Sequence, residues 1–177
     1  MKNPFESLNN LIKIEKPPEK RMIRHSKERE IIDTALANLS ESALGQELVQ
    51  FITENNIKIT VLRGRDNRDY TPSKDSVFIS VAEDMDADDP EITIHLVAAI
   101  RESMQEHDPM LRTPSLDQGE AIYVHRMGQK DDDKLIWQTK VTYELGKLAK
   151  KSEFIDSFTL MGYHSLIDVY EKELNEN

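Results

Sequence analysis

The chain has 177 residues, 38% of them hydrophobic and 32% charged, with a formal net charge of −10, a composition that suits one polar but globular domain with a core of its own. It holds no Cys, which excludes disulfides, thiolate zinc sites and cysteine catalysis. The negative charge argues against nucleic acid as a partner, and no apolar run approaches the ~20 residues that cross a bilayer, so no membrane role is expected.

Met1 to Glu6 lack the apolar stretch of a signal peptide, and a cytoplasmic location is the expectation. Residues 1–25 read as an extension or linker, and residues 26–177 as a single domain. Phe5, Leu8, Leu11 and Ile12 suit a short amphipathic helix, packed back on the domain or docked on a partner; Pro17-Pro18 stops it. The basic residues from Lys16 to Arg29 are interleaved with Glu15, Glu19 and Glu28, as on a solvated surface. Ser26 is the expected cap of a helix to about Leu39, with Ile31, Ile32, Ala35, Leu36 and Leu39 inward. Ser40 or Ser42 starts the next, carrying Leu44, Leu48, Phe51 and Ile52, and Asn55-Asn56 ends it.

Alternation from Ile57 to Leu62 predicts a half-buried strand, and Ser76 to Val81 a second. Between them lies a polar loop in which Arg63, Arg65, Arg68 and Tyr70 suit an anionic ligand. The plainer reading is a hairpin-type connection with mutually paired charges. Because the connection has no helical pattern, antiparallel pairing is expected. Glu83 to Asp89 is an acidic linker. Calcium takes such oxygen ligands, but the turn Gly and terminal Glu of the helix–loop–helix site are missing, and acidic charge also suits the helix N-terminus that follows.

That helix, Asp89 to Gln105, is the centre of the chain. Asp89 is the expected N-cap and Pro90 fits the first helical position. Ile92, Leu96, Val97, Ile100 and Met104 form a core stripe, while Glu91, His95, Ala98, Glu102 and Glu106 share the other face. After a loop marked by Pro109 and Pro114, a helix is expected from Leu116 to Met127, broken at Gly128. A longer one follows from Asp131 or Asp132 to about Ala149, with Leu135, Ile136, Val141, Leu145 and Leu148 inside and Trp137 and Tyr143 free to anchor neighbours. Glu153 to Leu174 reads as helical and divided at Gly162.

A zincin needs two His at i and i+4 of one helix, with a Glu beside the first to take a proton from bound water. None of the five His has that spacing. His95 and Glu102 lie ~10.5 Å apart along a helix axis, too far to chelate one ion unaided. No nucleophile elbow, phosphate loop or dinucleotide fingerprint occurs.

The order helix, strand, second strand, acidic linker, helix, together with Ile100-Arg101 and Gln105 on that helix, resembles a bacterial family of zincin-like domains described as metallopeptidases. Arg126, Asp131 and Tyr143-Glu144-Leu145 match its downstream segment. The resemblance implies an α+β, mostly helical zincin-like domain with a small antiparallel sheet and a central former metal-site helix. In it Ala98, Ala99, Glu102 and Gln129 stand at the family's metal and catalytic positions, with His95, Arg101, Glu106, Arg126 and Asp131 as cleft residues. Four such substitutions imply no catalytic residues, no resident metal or other cofactor, and a pseudoenzyme acting as a binding or structural module. Its partner would be a protein or peptide, and the oligomeric state stays open. Two alternatives stand beside it. One is a hydrolase using His95, Glu102, Glu106 and Asp131 around a metal such as zinc; the other is a helical interaction protein unrelated to zincins.

Overall fold

The computed structural model describes residues 19–64, 75–113, 115, 117 and 119–176, with side chains from residue 27 onward. The elements run α1 (Glu19–Leu39), α2 (Ala43–Glu54), β1 (Lys58–Arg63), β2 (Ser76–Val81), α3 (Pro90–His107), α4 (Glu120–Tyr143), a π-helical turn (Glu144–Leu148), α5 (Ser152–Leu160) and α6 (His164–Glu176). The architecture is α+β and mostly helical, as expected. No helix among the described residues is long and apolar enough to cross a membrane.

Local chemistry explains most boundaries. The Ser42 hydroxyl accepts from the Gly45 N–H at 2.8 Å, capping α2. Asn55 caps its other end, and Asn56 takes φ 53, a conformation Asn tolerates. Asp89 accepts from Glu91 N at 2.9 Å, and Pro90 opens α3. Gly162, with φ 93, divides α5 from α6 as expected.

Three expectations about the elements themselves need correction. The two strands pair in parallel, with Lys58 opposite Ser76, Val61 opposite Ile79 and Arg63 opposite Val81. The connection of about a dozen residues is long enough for a crossover between parallel strands, so the missing helical pattern in its sequence did not decide the direction. Parallel pairing points both strands at the acidic linker, and α3 then returns to pack on β2. Second, α1 starts at Glu19 rather than Ser26, because Glu, Lys, Arg and Met after Pro18 are good helix formers. Third, α4 runs unbroken through Gly128 and Asp131. A single interior Gly costs ~1 kcal/mol relative to Ala, less than the surrounding helix supplies.

The core is one cluster reaching from Ile31 on α1 to Ile167 on α6, with Ile59, Val61, Val77 and Ile79 from the sheet and Leu96, Val97 and Ile100 from α3. Ile136 and Leu148, expected inside, are exposed at 51% and 67%. The buried face of α4 is instead largely polar, with Lys130, Gln138, Thr139 and Thr142 beside Val141. Trp137 and Tyr143 do anchor neighbours: Trp137 lies under Arg101, and Tyr143 meets Tyr170 edge-on at 5.3 Å. The expected helix from Leu116 begins in a stretch where residues 114, 116 and 118 lie outside the described residues. The possible helix at residues 5–12, and the loop arginines Arg65 and Arg68 with Tyr70, also lie outside them.

Candidate functional site

The polar face of α3 meets the polar face of α4 along an antiparallel seam. At one end the Gln138 amide donates to the Ile94 carbonyl at 3.0 Å. About two turns on along α3, Arg101 lays its guanidinium 4.9 Å from the Trp137 ring centre and forks onto Asp133, from Nε at 2.6 Å and Nη2 at 3.2 Å. Such a fork is planar and directional, which a lysine cannot reproduce. Gln105 Nε2 donates to the same Asp133 at 2.8 Å and to the Lys130 carbonyl at 3.0 Å. These two acceptors fix the amide's orientation and leave Gln105 Oε1 buried with no hydrogen-bond partner among the described residues.

At the far end stands Lys130, 2% exposed. Its ammonium is paired with Glu106 and donates to Thr113 Oγ1 at 2.8 Å. Thr113 in turn donates to Glu106 from Oγ1 at 2.5 Å and from its backbone N–H at 3.1 Å. Burial pushes the Glu106 carboxyl up, but the hydrogen bonds from Lys130 and Thr113, with the Lys130 charge, outweigh it and hold the group below its ordinary value. Lys134 bridges the seam's rim, 3.7 Å from Glu102 and 2.8 Å from Asp131.

The sequence-predicted residues therefore fall into separate groups. Glu102 and Asp131 do come together, with the Lys134 ammonium between them. Arg101 and Glu106 belong to the same seam but to different ion pairs. His95 lies elsewhere on α3, half-exposed and 3.1 Å from Glu91. Arg126 is half-buried and Gln129 exposed on α4, while Ala98 is half-buried and Ala99 packs against the core. His95, Glu102, Glu106 and Asp131 thus do not converge on one point. Among the described residues no group of three or more His, Cys, Asp or Glu is arranged to hold a metal. Tested against zinc, the family positions do not fit: Ala98 and Ala99 carry no donor, Gln129 offers only a neutral amide, and Glu102 faces an ammonium.

Set beside family models, curated proteins and solved structures, the chain matches none of them.

Sequence reasoning missed the residues that build the seam from the α4 side, Lys130, Asp133 and Lys134, and also Thr113. A signal was there: Lys130, Asp133 and Lys134 recur at i, i+3 and i+4, one face of a helix. It was hidden by reading Asp131-Asp132 as a helix start rather than an interior. The acidic linker is held from the sheet: Arg63 donates to the Glu83 carbonyl at 2.9 Å and the Met85 carbonyl at 3.1 Å. Beside it Lys27, Glu30, Arg63 and Asp86 help line a polar cavity of about 480 Å³.

Proposed function

We propose that the chain is a catalytically inactive, metallopeptidase-like domain of zincin type, a pseudoenzyme that works in the cytoplasm as a binding or structural module for a protein or peptide. The observation that carries this reading is the seam. On the helix face where a zincin would present ligands to an open cleft, this chain presents Arg101, Glu102, Gln105 and Glu106 to α4. The charge balance there is supplied by side chains: Arg101 meets Asp133, Lys130 meets Glu106, and Lys134 meets Glu102 and Asp131. An ammonium between two carboxylates takes the electrostatic place a divalent cation would take, and it supplies neither a Lewis acid nor an activated water. The face is spent on holding two helices together.

The test is metal content and turnover in protein purified without chelator or affinity tag. The expected result is zinc far below one per chain and no hydrolysis of a mixed peptide pool, with or without added zinc. One zinc per chain accompanied by peptide cleavage would sink the reading.

A further inference from the structure

The helix α4 outruns its neighbour. α3 ends at His107, just past the pairing of Glu106 with Lys130. The ten residues of α4 from Glu120 to Gln129 therefore run on beyond that pair, for ~15 Å at the helical rise. None of the ten is buried and none joins the core cluster, and Ile122 on this arm is 47% exposed. Further along α4, its outer side forms with α6 an apolar groove of about 550 Å³, floored by Leu135, Ile136, Leu166, Val169 and Tyr170. There Ile136 and Val169 are also half-exposed. A helix arm and a groove that both leave large apolar side chains in water are two halves of a docking surface.

We infer that the arm of each chain lies in the α4–α6 groove of a second copy, so that two α4 helices pair antiparallel about a two-fold axis at Gln129. The chain's own groove is closed to its arm. Both belong to one unbroken helix, so the arm points away from its own groove and cannot fold back into it. A second copy turned about a two-fold axis meets no such limit, and the exchange closes as a dimer.

Spacing gives the register. Ile122 and Ile136 stand seven residues either side of Gln129, and residues seven apart keep to one stripe of a helix. Antiparallel pairing centred on Gln129 sets each Ile122 against Ile136 of the other copy, at the mouth of the groove. Charge agrees with that register. Arg126 and Asp132 stand three residues either side of the same centre, so each Arg126 meets an Asp132 across the axis. In the single chain neither of them forms an ion pair among the described residues. Gln129 itself carries both a donor and an acceptor, which lets the two copies of its amide bond to each other. Length agrees too: the groove's wall on α4, from Asp132 to Lys140, is ~12 Å long, close to the arm's ~15 Å. The inference concerns the outer side of α4 and stands apart from the reading of the seam.

The chain has no Cys, so full-length Gln129→Cys offers a single thiol, placed on the axis. A short bis-maleimide at low protein concentration should join it into a product of twice the chain mass. Ile136→Cys should give none, because its two copies would stand ~21 Å apart along the helices. No product from Gln129→Cys, or a product from Ile136→Cys, would overturn the inference. Sedimentation of the full chain should show a dimer that Arg126→Asp and Asp132→Arg each weaken about tenfold, since each sets like charges across the axis. A 1:1 mixture of the two variants, both shown to be folded by circular dichroism, should regain the parent's association, because every contact then joins opposite charges. A parent chain that stays monomeric, or a mixture that associates no better than either variant alone, overturns the inference equally.

Discussion

Lys130 shows what a single residue does in this molecule. Its charge is taken almost wholly out of water, which is tolerable because Glu106 and Thr113 surround the ammonium. Lys130→Ala would leave Glu106 next to an empty space and lose the bond to Thr113. It should cost ~3–5 kcal/mol, as breaking a buried pair from one side does. Replacing both partners, as Lys130→Met with Glu106→Gln, should cost clearly less. Urea denaturation of the three proteins checks this, and equal losses would show that the pair is not acting as a unit. The pair also sets a pH dependence. The Glu106 carboxyl titrates below its ordinary value in the folded chain, so it contributes stability that is full above the unfolded-state value of about 4.3. That contribution is lost as pH falls through the lower folded value. The stability gap between the parent and Glu106→Gln should therefore be widest near neutrality and close on acidification. A gap of the same size at pH 3 and pH 7 would contradict the assignment.

At the scale of elements, α4 joins two unlike surfaces. Its polar side is fastened to α3 by the Arg101–Asp133 fork and Gln105, and its C-terminal π-helical turn fastens two more helices. The Glu144 carboxylate accepts from the Leu44 N–H at 3.0 Å, serving the first turn of α2, where the exposed N–H groups favour an anion. Gly146 lets α5 approach, since a Cβ there would come within 2.3 Å of Ile155 Cγ1. Gly128 has no such reason: a Cβ would meet nothing within 4 Å. Gly128→Ala should therefore raise stability by up to ~1 kcal/mol through helix propensity. Gly146→Ala should lower it by ~1–3 kcal/mol, as overpacking does. Thermal melts of the two single variants, read against the parent, check the pair, and two shifts of the same sign would refute it.

At the scale of the whole molecule, the hydrophobic cluster is continuous from α1 to α6, so the described domain should unfold as one unit. The single Trp is a convenient reporter, because Trp137 sits at the α3–α4 seam under Arg101. Its fluorescence should follow the same urea transition as the far-ultraviolet signal of all the helices. Separated midpoints would mean that the α4–α6 part opens on its own. The acidic linker between sheet and α3 is held at both ends by polar contacts: Arg63 donates to its carbonyls at one end and the Asp89 cap closes the other.

What the sequence determined by itself is what depends on near neighbours. Both strands, the Ser42 and Asp89 caps, the division at Gly162 and the core stripe of α3 were all legible, because capping, alternation and helical periodicity are local. That Glu102 and Glu106 stand off the apolar stripe was legible too, but not that they face α4 rather than solvent. Tertiary structure alone decided the rest. Strand direction depended on where α3 packs, a choice made far from the connecting loop. The unbroken course of α4 depended on Asp133 and Lys130 finding Arg101, Gln105 and Glu106 across the seam. The exposure of Ile136 followed, because the side of a helix that turns inward is set by what it packs against, and here that was a row of charges rather than an apolar stripe.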